Sequence, residues 1–572
     1  MYYKSLFPDL PKVPESNIHH LIFNRPDQQE WPDYTLFVNV ATGQRRSFRE
    51  FVERVRDGAT ALGADVVQGG LGLRPENGDV VGILSENCPD YNALIHSLLA
   101  ITVPFALFSS YSTPYEFKHA NSLVQATRIF TSPSLLPLAL TSGLPADQIH
   151  LLEGENNDYT NYDQLVSSAR KSGIPRLPVR DANKDTLAYL VFSSGTSAVM
   201  ISHGNITHAT LGLMVYGMEM AKIIEPPVWN APDGIQVFFN VLPVYHSVAL
   251  FTTNFFNFLQ PSTTVMLPKW NIDLFFDSVS KYRITTISLV PSLVHQLVHH
   301  PRFETADLSS IKSIGSGAAH LPPQLAAQLC ARFPNMERIT EGYGLTEFTV
   351  TVSVTPFPGM LNGRAKRKPG SVGILVPGVE ARIIRPDGSL ASHNEAGELL
   401  VRGGAAALGY RGNDKATRET FVDGWLHTGD HIRIDADGLR GPYQGKLVIY
   451  TPLDTLKISG VQVSPVEIED TLLAQPDKFI TDVSVAGVSG GRTSDERIPR
   501  AWIVLSPAGA VLGEKEVVTR LDAWVQERLS RFKWLRGGIG IVETIPKSPT
   551  GKVLRQILVK EYESKVEAKV KL

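Results

Sequence analysis

The sequence is poor in the features that mark oxidised, membrane-spanning or nucleic-acid-binding proteins. Its two cysteines, Cys88 and Cys330, build neither a disulfide framework nor a thiolate metal site, and they fit a reducing compartment. A formal net charge of −2 leaves no basic excess for nucleic acid. Long apolar runs are missing as well. The most apolar stretch, 91–108, is interrupted by Asn92, His96 and Pro104, so it reads as buried core and no membrane span is expected. Residues 1–18 show no basic n-region followed by an apolar segment, so no secretory leader is expected. The last residues, Val570-Lys571-Leu572, only loosely match a Ser-Lys-Leu address and read as a solvated basic tail. A cytoplasmic location is expected, with the peroxisome as the alternative.

What is present is an ordinary globular composition, 43% hydrophobic and 20% charged. At 572 residues the chain exceeds what one hydrophobic core serves, so two or more domains are expected. Strand-like runs alternate with helical patterns. Residues 79–84 read as a strand and 87–99 as a helix, while 127–130, 149–152 and 187–192 read as further buried strands. That order predicts layered α/β structure with largely parallel sheets. Between 372 and 401, alternation broken by Pro-Asp-Gly and Asn-Glu-Ala-Gly turns predicts a smaller antiparallel, barrel-like section. Residues 435–453 are rich in Gly, Pro and Asp, and 458–464 restart as a strand.

Four short stretches carry chemistry. They are Phe192-Ser-Ser-Gly-Thr-Ser197, Glu341-Gly-Tyr-Gly-Leu-Thr-Glu347, Trp425-Leu-His-Thr-Gly-Asp430, and Thr544-Ile-Pro-Lys-Ser-Pro-Thr-Gly-Lys-Val-Leu-Arg555. Taken singly each is also an ordinary turn or capped loop. In this order and at these separations they resemble the acyl/aryl adenylate-forming (AMP-binding) superfamily, over nearly the whole chain. The branch resembled is that of 4-coumarate–CoA ligases and acyl-CoA synthetases. The resemblance implies a large N-terminal domain, 1–453, of layered α/β subdomains plus a β-barrel-like section. A small mobile α+β C-terminal domain, 454–572, would swivel about a hinge near Leu453–Asp454.

The reaction implied joins a carboxylate and ATP into an acyl-AMP, releases pyrophosphate, and then forms a thioester with CoA. A carboxylate approaching three phosphates needs positive charge and oriented donors at the phosphorus, with Mg²⁺ neutralising the leaving group. Lys552 suits the first task as a compact cation on a flexible stem. Ser193, Ser194, Gly195, Thr196 and Ser197 form a hydroxyl-rich loop able to wrap phosphates, with Thr196 also counted toward the metal. Within 341–347, the resemblance places Glu341, Gly342 and Gly344 close to the nucleotide, Tyr343 against adenine, Thr346 on phosphate and Glu347 on Mg²⁺. Asp430 matches an acceptor of both ribose hydroxyls. Ser316, Gly317, Ala318 and Ala319 resemble the small-residue wall between adenine and acyl pocket.

His246 lies where the resemblance expects a gate at the carboxylate entrance; a satisfied structural histidine is the other reading. Tyr245, His246, Val248, Thr252, the 316–319 wall and Val354 would line an apolar acid pocket, taking an aryl-propenoate or a medium-chain acyl group. For CoA, Lys269, Ser459 and Gly460 are candidates, and Lys457 would face the site during thiol attack. Lys269 and Lys457 fit ordinary surface or salt-bridging roles as well.

The chain departs from the family pattern twice. After Ser197-Ala198 it runs straight into Val199-Met200-Ile201-Ser202-His203, about four residues short of the expected segment and without its lysine. Either this is a real deletion that weakens catalysis or a mobile stretch has been left out, the second being expected. Tyr450 and Thr451 also occupy the positions of an expected Asp-Arg hinge pair. The sequence therefore predicts a soluble ATP-dependent acid–CoA ligase needing no nucleic-acid partner. The alternatives are a free-standing adenylation partner of a carrier protein and a degenerate nucleotide- or acid-binding protein.

Overall fold

In the computed structural model the residues described are 2–193, 197–225, 228–316, 321, 323–333, 339–367, 371–385, 387–392, 395–435, 446–449, 456–458, 461–490, 497–546, 553 and 555–570. The expected hinge at Leu453–Asp454 lies outside them, as do Tyr450 and Thr451.

Two large sheets form the N-terminal part. In the first, strands Leu187–Ser193, Phe105–Leu107, Val81–Leu84, Arg128–Thr131 and Ile149–Leu151 run parallel, and Ser197–Ser202 and Gly409–Tyr410 add antiparallel at one edge. In the second, six parallel strands include Gln236–Asn240, Thr286–Leu289, Ser313–Ser316 and Thr340–Tyr343; short antiparallel strands close both edges. The predicted strands are therefore found within a residue or two of their expected bounds. Parallel strands buried on both faces read as continuous apolar runs, which is why they were legible.

The predicted helix at 87–99 is Pro89–Ala100, with proline in its first turn and every residue buried. It sits in a core with Phe37, Phe51, Phe255 and Phe258. The antiparallel section is also present: Tyr2–Lys4, Glu380–Ile384, Gly397–Arg402, Phe421–Val422, Trp425–Asp435 and Lys446–Ile449 form one sheet around its own core. Both cysteines are free thiols. Among the described residues no helix is long and apolar enough to cross a membrane.

The C-terminal part has a separate core, in which Ile468, Leu472, Val485, Ile503, Leu521 and Val525 are buried. The single strand expected over 458–464 is instead two short antiparallel strands, Leu456–Ile458 and Val461–Val463. The C-terminal part is tied to the larger one by a buried charge triad. Lys533 Nζ donates to Glu116 Oε1 and to Glu467 Oε1, both at 2.7 Å, and the Ser530 N–H donates to the same Glu116 oxygen at 3.0 Å. Burial opposes the Lys533 charge, yet the two carboxylates hold its pKa above the ordinary lysine value. Removing one member of such a buried group leaves an uncompensated charge and costs about 3–5 kcal/mol.

Several histidines are buried neutral. Burial lowers the pKa of His19 and His203 to about 3 and of His150 to about 4, and holds His96 well below the ordinary value. The His203 ring cannot gain a second proton without losing the bond its Nδ1 accepts from the Ile18 N–H. Each native value lies below the unfolded value near 6.5, so the unfolded chain takes up the protons first, and stability is lost as pH falls through that value. At pH 5 each such histidine costs about 2 kcal/mol relative to neutral pH. Glu153, whose carboxyl burial raises to about 6, opposes this, as do Glu467, Asp470 and Asp522, whose carboxyls burial also raises. Urea midpoints between pH 7.5 and 5 are expected to fall steadily; a flat profile would contradict the neutral histidine core.

Candidate active site

The stretch 341–347 turns sharply between two strands. Gly342 and Tyr343 pair antiparallel with Val354 and Ser353. The turn is tight enough that a Cβ on Gly344 would fall on the Val350 carbonyl oxygen. Thr346–Phe348 form a single 3-10 turn, after which Thr349 (φ 51°) and Val350 (φ 110°) take left-handed backbone conformations. Such a conformation in a β-branched residue costs about 1–3 kcal/mol and persists only where its surroundings impose it. Here Thr349 Oγ1 donates to the Ala405 carbonyl at 2.7 Å.

This turn brings predicted residues together. Tyr343 Oη donates to Asp430 Oδ2 at 2.5 Å, so the proposed adenine-stacking ring and ribose carboxylate share one edge of the site. Burial, and then the Asp430 charge, push the Tyr343 hydroxyl pKa well above its ordinary value, so it stays a donor. Asp430 is itself oriented by its own N–H, which donates to Thr428 Oγ1 at 3.1 Å. Thr346 Oγ1 accepts from Ser247 Oγ at 3.0 Å. Ser247 opens the helix Ser247–Asn254, and His246 precedes it. Burial lowers the His246 pKa to about 4, so its imidazole is neutral at neutral pH. Glu347 is 9% exposed and accepts from Tyr410 Oη at 3.1 Å.

Magnesium fits this donor set. It takes oxygen ligands and is commonly held by one or two carboxylates together with substrate phosphates. Glu347 offers one such carboxylate beside Thr346, and among the described residues no cluster of three metal-binding side chains competes for the ion.

The strands on either side of the serine loop pair antiparallel. The pairing runs from Val191↔Val199 through Phe192↔Ala198 to Ser193↔Ser197. Ser194, Gly195 and Thr196 lie outside the described residues. So do Gly317, Ala318, Ala319, Ser459, Gly460 and Lys552, and of Lys457 only the backbone strand is described.

The acid-pocket residues divide. Tyr245 is 5% exposed and belongs to the main core. Val248 is 42% exposed, and Thr252 Oγ1 donates back to the Val248 carbonyl. Ser316 is buried, and Val354 is half-buried in the strand paired with 342–343. A small cleft lies elsewhere, with Phe251, Phe348, Thr351, His208, Gly212 and Gly378 among its walls. Phe251 follows Ser247 by four residues and Val248 by three, so it neighbours both along the helix surface. Lys269 is paired with Glu86 at 3.1 Å while 61% of its side chain stays exposed, a pair weak enough to open for another anion.

Sequence reasoning missed Ser247, Phe251 and Tyr410. No local pattern could have flagged Tyr410, since it reaches Glu347 only through pairing distant in the chain. A hydroxyl directly after a gate-like histidine was the one available sign for Ser247.

Residues 25–411 match the family described as AMP-binding enzyme. An acyl-CoA ligase of Alternaria alternata, AFT1-1, is 30% identical over 84% of this chain and 82% of its own length. A probable 4-coumarate–CoA ligase of Dictyostelium discoideum is 29% identical over 98% of this chain and 97% of its own. Among solved structures, o-succinylbenzoate CoA synthetase of Bacillus subtilis superposes with a TM-score of 0.71 at 19% identity, covering 96% of this chain and 98% of that one. The amide bond synthetase McbA of Marinactinospora thermotolerans also gives 0.71, at 20% identity, over 92% and 97%.

If Asp430 holds the ribose, Asp430→Asn weakens ATP and AMP binding alike, by roughly tenfold, as loss of a charge-assisted hydrogen bond implies. Calorimetric titration of both nucleotides measures this. A loss confined to ATP would place Asp430 at the phosphates instead.

Proposed function

The chain belongs to the AMP-binding enzyme family, and on that premise we propose that it is an ATP-dependent, AMP-forming acid–CoA ligase acting on an aryl or medium-chain carboxylic acid. The observation that carries this reading is the junction at 343–347. There a tyrosine–aspartate pair, a serine–threonine pair and a buried carboxylate converge from three different parts of the chain.

In the first half-reaction a carboxylate oxygen of the acid bonds to the α-phosphorus of ATP, and the bond to pyrophosphate breaks. Asp430 and Tyr343 would hold ribose and adenine, Thr346 and the serine loop the phosphates. Glu347 would hold Mg²⁺, which when bound neutralises charge on the departing pyrophosphate. Lys552 would bridge the carboxylate and the α-phosphate. His246, being neutral, would border the carboxylate entrance without competing with Lys552 for its charge.

In the second half-reaction the CoA sulfur bonds to the acyl carbon, and AMP departs with the electron pair. Lys457, Ser459, Gly460 and Lys269 are the residues proposed for CoA. The apolar Val248 and Val354 support an apolar acid. Rotation of the C-terminal part between the half-reactions would have to part the Glu116–Lys533 contact.

Pyrophosphate and AMP release, measured with Mg·ATP over aryl-propenoic, benzoic and C2–C16 acids with and without CoA, tests this. Release is expected to need a particular acid and to turn over faster with CoA. Acceleration by a phosphopantetheinyl carrier protein but not by CoA would favour the adenylation-partner reading. Silence from folded protein that still binds ATP would leave a nucleotide-binding protein without the activity.

A further inference from the structure

One short segment holds Glu347 at both ends. The Ala407 N–H donates to the Glu347 carbonyl at 2.9 Å, and Tyr410 Oη donates to Glu347 Oε1 at 3.1 Å. The Tyr410 ring packs edge-on against Phe421 at 5.9 Å. Its backbone is fixed as well. Gly409 sits at φ 131°, where any Cβ would strike Thr417, and Thr417 Oγ1 accepts the Tyr410 N–H at 3.0 Å.

The same segment is bonded to the strand that leaves the serine loop. Leu408 N–H donates to the Met200 carbonyl at 2.9 Å, Tyr410 pairs with Val199, and Arg411 N–H donates to the Ala198 carbonyl at 2.8 Å. Residues 407–411 thus bond to Glu347 on one side and to the loop strand on the other.

We infer that Tyr410 is a positioning residue for Glu347. By occupying Oε1 it fixes the carboxylate so that Oε2 is presented to the divalent cation accompanying the triphosphate, and the segment 407–411 sets that oxygen's distance from the serine loop. The inference rests on Glu347 being the metal-binding carboxylate. Without the tyrosine proton the carboxylate is free to turn about its last torsion, and the cation loses a pre-oriented ligand. Partners of this kind, bonded to a metal ligand rather than to the metal, are worth about 10–100-fold in metal affinity.

Tyr410→Phe removes only the hydroxyl and keeps the ring against Phe421. The probe is Mn²⁺ with β,γ-methylene-ATP, free Mn²⁺ being read by electron paramagnetic resonance, with AMP affinity measured alongside. Tyr410→Phe is expected to weaken Mn²⁺ binding by about tenfold while AMP affinity holds. In a Glu347→Gln background the same change is expected to add nothing, because the tyrosine acts through that carboxylate. The inference is overturned if Tyr410→Phe binds Mn²⁺ like the parent while Glu347→Gln does not. An equal loss in both backgrounds overturns it too. If Glu347→Gln itself leaves Mn²⁺ affinity unchanged, the metal role of Glu347 fails first and the role of Tyr410 falls with it.

Discussion

The site depends on Glu347 being gripped at its backbone and at its carboxylate by a strand segment to which it does not belong. Ala407 and Tyr410 supply that grip. The turn around it is otherwise unfavourable, since Thr349 and Val350 are held at positive φ and Glu347 is a carboxylate removed from water. A buried charge is tolerated only where hydrogen bonds or an ion satisfy it. The strain and the burial therefore both point to a segment kept for its chemistry at some cost in stability. Thr346, one residue earlier, is bound from a third direction by Ser247, and Asp430 of the antiparallel section reaches the same stretch at Tyr343.

The serine loop bears on the balance of charge at this junction. The strands stay in register to Ser193↔Ser197, and the lysine that the resemblance expects in the loop has no counterpart there. Were that lysine truly deleted, fewer protein cations would face the triphosphate in the proposed reaction, and neutralisation would fall more heavily on the metal and on Lys552. A site working with less fixed positive charge gains more from a rigidly aimed metal ligand. The Tyr410 hydrogen bond provides that aim, and the segment bearing it is bonded to the very strand that leaves the serine loop.

Much of this was legible in the sequence, for physical reasons that differ from residue to residue. Parallel strands such as Leu187–Ser193 are buried on both faces and show as apolar runs. The turn 341–347 is contiguous, so Tyr343, Thr346 and Glu347 announce themselves together. Asp430 was legible only through its Thr-Gly neighbours, and its bond to Tyr343 was not. Tyr410 could not be found from its surroundings, because its function arises from pairing with Val199, 211 residues away by subtraction of the two numbers. The acid pocket was the least legible part. Helix spacing makes Val248 and Phe251 neighbours, and only the fold shows that Val248 is exposed while Phe251 is buried.

Mass spectrometry of a reaction run without CoA decides most directly whether this junction makes an acyl adenylate. With Mg·ATP and an acid that stimulates pyrophosphate release, a protein-bound species with the mass of the acid plus AMP less water should accumulate. Adding CoA should convert it to the thioester and free AMP. Folded protein that holds ATP yet forms no such species with any acid would contradict the ligase reading.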